Sequence, residues 1–517
     1  MTARPSRFAC RAQMGLEAPL VHVEVHLASG LPNFSIVGMA ATAVKESRER
    51  VRAALASCGF ELPAGRITVN LAPADVPKEG GRFDLPIALG ILSASGQLQP
   101  PVAEGTGAWD HLEIYGELAL SGELKCVRGL LLAAVHARDA GHELIVPRGN
   151  VEEVRVVSRT GVRGAAHLLD VCGHLSGNAR LAANPLPVAS GSAANDGASR
   201  TSNGLDLSDV HGQQHAKRAL IIAASGSHSL LMSGPPGSGK SMLAQRLPGL
   251  LPPLSEREAL EVATIASVSA NGFDAKHFGR RPFRSPHHTA SFHSIVGGGS
   301  HAGPGEVSLA HRGVLFLDEL PEFDRRALEA LREPLECGFV NISRVGGRAE
   351  YPAVFQLLAA MNPCPCGYLG DPSEDCNCAP PRIARYRGRI SGPMLDRIDM
   401  CIDVPAVPQS ALEPEGACGE TSATVAARVL EARQRQLVRS GKLNAHLSVR
   451  EITEHCRMSP QARHLLWQSM AKLRLSLRSY HRSLRVARTI ADLEGAETIG
   501  VPHIGEALQL RRSASTP

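Results

Sequence analysis

The chain reads as an α/β protein, with a parallel sheet covered by helices on both faces, an α+β domain before it and a helical region after it. Three observations predict this. Short apolar segments at Ser229–Met232, Val314–Leu317 and Phe355–Ala359 alternate with helical stretches, as buried parallel strands do. Nearer the N-terminus, the alternating runs Val21–His26 and Arg66–Leu71 read as half-buried strands, accompanied by helices at Ala41–Cys58 and Leu85–Ser95. From about Ser422 the apolar spacing turns helical, with amphipathic stretches at Ser459–Leu475 and Ser479–Leu493.

A chain of 517 residues is too long for one hydrophobic core. The stretch Asn184–Asn203 is dominated by Ala, Ser, Gly, Asn and Pro and cannot bury enough apolar surface to offset the entropy of ordering it. These features divide the chain into an α+β domain at 1–180, a flexible linker at 181–204, the parallel-sheet core at 205–410 and a helical, basic domain at 411–517. The net charge of +5 is unevenly spread. From Thr421 onward there are 16 Lys plus Arg against 7 Asp plus Glu. That excess reads either as a nucleic-acid footprint or as a solvated arginine-rich helical face. No apolar run reaches 18 residues and no signal-peptide order is present, so a cytoplasmic protein without a membrane partner is expected. The twelve cysteines are then free thiols or metal ligands rather than a disulfide framework.

The residues Gly234-Pro235-Pro236-Gly237-Ser238-Gly239-Lys240-Ser241 spell a G-x-x-x-x-G-K-S phosphate loop between an apolar run and a helix-compatible one. Glycines let successive backbone N–H groups turn inward onto a polyphosphate. Lys240 would reach the β and γ phosphates, Ser241 would hold Mg²⁺, and the following helix would present its positive end. The strand Val314–Leu317 runs into Asp318 and Glu319, placed to hold Mg²⁺ through water and to polarise an attacking water. A third strand ends in Asn362, whose amide could orient that water, or which could simply form a turn.

This order resembles that of the AAA+ ATPases. Four phrases are similar to the magnesium-chelatase-like subgroup and, most closely, to the YifB/ComM family of bacterial proteins: Asp209-Val-His-Gly-Gln-Gln-His-Ala-Lys-Arg-Ala-Leu, Arg284-Ser-Pro-His-His-Thr-Ala-Ser, Pro304-Gly-Glu-Val-Ser-Leu-Ala-His and Ser391-Gly-Pro-Met-Leu-Asp-Arg-Ile-Asp. The resemblance covers nearly all of the chain outside the linker. It implies an AAA+ core with a helical C-terminal lid, ATP and Mg²⁺ as cofactors, and a homo-oligomeric ring, a hexamer, with ATP between subunits. Arg397 matches the arginine that the family places against a neighbour's γ-phosphate; its alternative is an ion pair with Asp396 or Asp399. Arg478 matches the second sensor arginine, with Arg482 and Arg485 close enough to compete for that role.

Cys364, Cys366, Cys376 and Cys378 form C-x-C-x₉-C-x-C directly after Asn362 in a loop rich in Gly, Pro and Asp. Four thiolates this close can make a closed, structural Zn²⁺ site that orders a loop with little apolar content; free or redox-active thiols are the alternative.

In the N-terminal domain, Pro77-Lys-Glu-Gly-Gly-Arg-Phe-Asp-Leu and Gly116-Glu-Leu-Ala-Leu-Ser-Gly-Glu-Leu-Lys-Cys-Val-Arg-Gly-Leu-Leu resemble the proteolytic domain of Lon-type proteases, which has a ribosomal-S5-like fold. Arg82 stands at the position of the nucleophilic Ser and Leu131 at that of its Lys partner. Neither can attack a carbonyl or deprotonate a hydroxyl, so a non-catalytic module for ring assembly or DNA contact is expected.

The ATPase motifs do not name what the motor moves. The family resemblance implies DNA, branched or single-stranded, with ATP-driven branch migration serving the recombination of incoming DNA in natural transformation. A Gly-Gly turn within Ile342-Ser-Arg-Val-Gly-Gly-Arg could form a hairpin offering Arg344 and Arg348 to phosphates in a central pore. The alternatives are a protein remodeller and a magnesium-chelatase-like motor subunit. A chelatase motor is not expected to carry this N-terminal domain.

Overall fold

In the computed structural model, the described residues are 6–101, 109–157, 161–184, 204–299, 302–344, 347–371, 374–406, 419–473 and 476–512. They form two compact units. The first consists of residues 1–192 joined by 259–278 and 343–350, and the second of 193–258, 279–342 and 351–517. The segment 205–410 drawn from sequence is therefore divided between units. The reason is apolar: Leu260, Phe273 and Phe278 pack against the core of the first unit, where Ser267 donates to Glu153. The expected linker at 181–204 lies mostly outside the described residues. Its start does not, since Ala183–Asn184 pairs antiparallel with Val162–Arg163 as an edge strand of the first sheet. The expected boundary at 410 also lies outside the described residues.

The first unit is α+β. Its sheet has eight strands, in the order 183–184, 162–165, 143–147, 112–114, 6–11, 20–28, 66–72, 33–37. Strand Leu20–Ala28 shows the alternation read from sequence, with Val21, Val23 and Val25 fully buried. Helix Asp84–Ala94 is apolar on every side and nearly all of it is buried, whereas helix Thr42–Ser57 buries one stripe, including Val44, Val51 and Leu55.

The second unit is built on a five-stranded parallel sheet in the order 283–284, 314–317, 356–361, 230–233, 400–403. The strand ending at the phosphate loop thus lies between the fourth and the fifth in chain order. Helix Gln214–Gly226 and helix Lys240–Leu250 share one apolar core with Val425 and Val429 of helix Ser422–Ser440 and with Leu484, Ala487 and Ile490 of helix Leu477–Leu493. The helical C-terminal region is consequently part of the same compact unit as the sheet. Residues Phe339–Arg344 and Gly347–Pro352 pair as the two-stranded hairpin expected from the Gly-Gly turn; the side chains of Arg344 and Arg348 lie outside the described residues. No helix among the described residues is long and apolar enough to cross a membrane.

Candidate nucleotide site

The site is assembled at the C-terminal ends of three adjacent parallel strands. Ser233 lies opposite Met361, and Ala359 in turn lies opposite Leu317, so Asn362 emerges between the phosphate loop and the Asp318-Glu319 pair. The Gly234 N–H donates to the Met361 carbonyl at 3.2 Å, which ties the loop to the Asn362 strand. Gly234 cannot be larger, because a Cβ there would come within 2.1 Å of the Val404 carbonyl. Gly237 and Gly239 take φ of +75° and +90° and turn the backbone into the helix that starts at Lys240.

Lys240 is buried, with Nζ donating to the carbonyls of Gly234 (2.7 Å) and Pro235 (2.8 Å) and lying 3.4 Å from both Ser238 Oγ and Asn362 Oδ1. Burial lowers its proton affinity, against the pull of the Asp318 and Glu319 carboxylates. Ser241 Oγ donates to Asp318 Oδ2 at 2.7 Å, which places both expected Mg²⁺ ligands at one point. Glu319 is exposed and held at φ +52°, a left-handed conformation costly for a residue with a side chain and characteristic of sites where geometry is imposed by surrounding structure. Pro235, Pro236 and Ser238 complete the loop, and Lys240, Ser241, Asp318, Glu319 and Asn362 form one constellation.

Two residues that sequence reasoning did not single out belong to it. His288 Nδ1 lies 3.0 Å from Glu319 Oε2. Gln213, at φ +53°, donates through Nε2 to the carbonyls of Ser238 (3.1 Å) and Pro405 (2.6 Å) and so braces the loop from outside. Both sit inside phrases that carried the family resemblance, and that was the only signal available.

The two arginines are placed elsewhere. Arg397 precedes strand Met400–Asp403, and its carbonyl accepts from Ser229 Oγ at the N-terminal end of the phosphate-loop strand. From Ser229 to Gly234 the strand covers roughly 16 Å, so Arg397 does not meet its own loop. Its guanidinium pairs with Glu336 and donates to the Pro393 carbonyl, not with Asp396 or Asp399. Arg478 is exposed in the first turn of helix Leu477–Leu493. Its neighbours anchor that turn at the same far end of the sheet: Arg482 pairs with Asp399 at 3.0 Å, and Ser479 accepts from Arg511, which also donates to the Ile398 and Asp399 carbonyls. The structure therefore does not bring Arg478 to the phosphate loop of its own chain. Arg485 donates to the Leu447 carbonyl.

The four sulfurs of Cys364, Cys366, Cys376 and Cys378 lie within 4.8 Å of one another, with the Cys364–Cys366 pair at 3.2 Å and the Cys364–Cys376 and Cys366–Cys376 pairs at 3.6 Å. A tetrahedral zinc with Zn–S of about 2.3 Å needs sulfurs about 3.8 Å apart, which this donor set fits. A backbone N–H from Tyr368 and a hydrogen bond with Cys364 lower the Cys366 thiol to about 6. The cluster also touches the nucleotide site: a Cβ on Gly367, at φ +93°, would come within 2.6 Å of Pro236 Cδ, so the cysteine loop packs directly on the phosphate loop.

In the first unit, Arg82 is buried and donates to the carbonyls of Arg11 (3.4 Å) and Arg128 (2.8 Å) and to Gln13 Oε1 (2.9 Å), while Leu131 is fully buried in helix Leu130–Ala140. Both are packing elements at the positions where a Ser and a Lys were sought. Part of the basic character after Thr421 is taken up by ion pairs within the chain. Arg428, Arg435, Arg439, Arg482 and Arg488 pair with carboxylates, and Arg433 donates to the Ala224 carbonyl. Arg450, Arg457, Arg463, Lys472 and Arg478 remain exposed, and Trp467, on the same helix as Arg463 and Lys472, is 65% exposed.

Comparison with known proteins agrees with this geometry. The family description of magnesium chelatase subunit ChlI matches residues 206–412, that of the ChlI C-terminal region matches 419–511, and a further description of subunit ChlI of magnesium chelatase matches 23–150. The last match gives the N-terminal domain, too, a family description that names a chelatase subunit. The competence protein ComM of Haemophilus influenzae is 49% identical over 504 residues, covering 97% of this chain and 96% of that protein. YifB of Escherichia coli is 48% identical over 502 residues, covering 97% and 96%. A magnesium-chelatase 67 kDa subunit of Heliobacterium mobile is 27% identical over 197 residues, only 32% of this chain and 29% of that one.

Proposed function

The chain belongs to the ComM/YifB family of magnesium-chelatase-like proteins, and on that premise we propose that it is an ATP-hydrolysing ring motor acting on DNA, a branch-migration helicase that supports recombination of incoming DNA in natural transformation. The observation that carries the motor is the convergence of Lys240, Ser241, Asp318 and Asn362 at one edge of the sheet. Lys240 binds the β and γ phosphates, Ser241 and Asp318 position Mg²⁺, Glu319 accepts a proton from the attacking water, and Asn362 orients that water. Ser241 and Asp318 would hold Mg²⁺, which when bound would supply positive charge against that of the phosphates. The reading as a ring is supported by Arg397 and Arg478, which lie at the far end of the sheet from their own loop, where a nucleotide held by another subunit is the one they could meet. The first unit is a non-catalytic module for ring assembly or DNA contact.

DNA as substrate is supported by the similarity to a competence protein across nearly the full length, and by exposed Trp467 with Arg463 one turn before it on the same helix, an aromatic ring beside a cation that suits bases and phosphates. Adding branched DNA at low salt is expected to raise ATP turnover several-fold and to be accompanied by movement of the junction, with stimulation falling as salt rises. ATP turnover indifferent to DNA at low salt would remove the DNA assignment, and DNA-independent unfolding of a protein substrate would favour a remodeller.

The cysteine loop holds a structural Zn²⁺ that stiffens the wall of the phosphate loop; with four protein ligands it leaves no position for a reacting water. One zinc per chain is expected by elemental analysis. Changing Cys364 to Ser is expected to remove it, lower the melting temperature by several degrees and reduce ATP turnover through Pro236. Metal-free wild-type protein with unchanged melting would refute the site.

A further inference from the structure

The segment that follows the catalytic acids meets the segment that carries Arg397 through three carboxylates spaced seven residues apart, Glu322, Glu329 and Glu336. Glu322 closes the short turn Leu320–Glu322 directly after Asp318 and Glu319, Glu329 lies in helix Arg325–Ala330, and Glu336 lies in helix Arg332–Cys337. Arg389 Nη1 donates to Glu322 Oε2 at 2.5 Å and to the Pro321 carbonyl at 3.2 Å. Ser391 hydrogen-bonds to Glu329 and, together with Arg332, holds that carboxyl below its usual range. Arg397 pairs with Glu336. Each such tie is weak where it is exposed, but the three follow the same order along both segments and so keep residues 389–397 in register with residues 320–337.

The last of the three leaves Arg397 in a state that does not suit its proposed task. Its side chain is only 8% exposed, against 57% for that of Glu336. Nη1 donates to the Pro393 carbonyl at 2.8 Å, Nη2 meets the Glu336 carboxylate, and Nε is buried with no acceptor among the described residues. A buried donor left unpaired costs free energy, so this pose is not one that satisfies the guanidinium fully. So held, the group is turned into its own chain and cannot meet a phosphate outside it.

The main chain around Arg397, by contrast, is firmly placed. Its N–H donates to the Met394 carbonyl at 2.9 Å, and its carbonyl accepts from Ser229 Oγ at 3.1 Å. Two residues on, the buried Asp399 carboxylate accepts from the Ser229 N–H at 3.0 Å and from Arg482 Nη1 at 3.0 Å. Release of the guanidinium therefore needs one side chain to rotate away from one exposed carboxylate, with the backbone left where it is.

We propose that Glu336 is a latch on Arg397, holding the arginine retracted within its own chain until a phosphate of the neighbouring subunit's nucleotide takes the place of the carboxylate. The proposal rests on the reading of Arg397 as a residue that serves another subunit's site, and it adds the residue that restrains it there. The exchange is between like partners, because the planar fork of a guanidinium matches carboxylate and phosphate alike. Glu336 is a positioning residue: it acts on the nucleotide only through Arg397.

Rings reassembled from mixed proteins test it. A Lys240→Ala protein has its own phosphate loop disabled and contributes only its arginine, while an Arg397→Ala protein keeps its loop and lacks the arginine. Mixing the two is expected to restore ATP turnover that neither gives alone. Adding Glu336→Gln to the Lys240→Ala protein is expected to raise the restored turnover by about three- to tenfold, the range for removing a competing charged partner. Glu336→Asp, which keeps the charge, is expected to restrain turnover as Glu336 does. Glu336→Ala takes the place of Glu336→Gln if the latter does not fold, with melting temperature as the check. Equal turnover with Glu336 and with Glu336→Gln would overturn the latch while leaving Arg397 as the neighbour's arginine. Lower turnover with Glu336→Gln would overturn it too, by showing that Glu336 presents the arginine instead of holding it back. No turnover in any mixture would remove the reading of Arg397 as a residue of another subunit's site, and the latch with it.

Discussion

Replacing Lys240 with alanine is expected to cut ATP turnover by on the order of a hundred- to a thousandfold, the effect of deleting one preorganised donor to a developing charge. The size of the effect follows from where the ammonium sits. It is buried beneath the loop, between the Gly234 and Pro235 carbonyls and beside Asn362. Water cannot take over the role of a charge delivered from below the backbone. ATP affinity should fall with turnover if, as proposed, Lys240 meets the phosphates in the ground state as well as during transfer. The fold should survive, since the bonds lost are to carbonyls at the edge of the site; circular dichroism and melting temperature check this. A pH dependence accompanies it. Burial lowers the folded-state proton affinity of Lys240, so activity that needs the ammonium is present at neutral pH and is lost as pH rises, earlier than an ordinary lysine would lose it. Undiminished turnover in the alanine variant would remove the phosphate loop from the mechanism.

Glu319→Gln is expected to give a comparable loss of turnover, about a hundredfold or more, with ATP affinity retained. The separation from Lys240 is geometric. Asp318 faces inward to Ser241, whereas Glu319, at φ +52°, turns outward to lie 3.0 Å from His288. Glutamine preserves the shape and removes the proton acceptor, so nucleotide enters and is not cleaved. Quantifying bound ATP and ADP after mixing with excess nucleotide reads this directly, with ATP accumulating on the variant. A variant that loses binding and turnover in equal measure would show that Glu319 holds the nucleotide instead of activating water.

Much of this site was legible because its central parts are contiguous in the chain. A phosphate loop is eight consecutive residues between a strand and a helix, and Asp318-Glu319 is the end of a single apolar strand. The parts that were not legible depend on which strand lies beside which. Asn362 was named from the end of its strand, but its place beside both partners follows from strand Gln356–Met361 being inserted between the strands of the loop and of the acids. His288 and Gln213 matter through single contacts across the site. The pairing of Arg397 with Glu336 joins residues 61 positions apart, and the alternatives considered from sequence were its immediate neighbours. The hairpin and the cysteine cluster were local enough to anticipate, but the contact of Gly367 with Pro236, which makes the cluster part of the nucleotide site, was not.

The sequence by itself determined the succession of α+β, parallel-sheet and helical parts, the family, the phosphate loop with its two acids, and the four-cysteine loop. These are properties of short segments, whose periodicity and chemistry act over a few residues. Only the tertiary structure decided that residues 259–278 pack with the first unit, that Arg397 and Arg478 lie away from their own loop, and that several cations after Thr421 are tied into ion pairs within the chain. It alone revealed that Glu322, Glu329 and Glu336 meet the segment that carries Arg397. Each of these is a meeting of side chains distant in sequence, set by strand order and by the burial of apolar faces. Charge and hydrogen-bonding capacity are written in the chain, but which partner uses them is settled when the core closes.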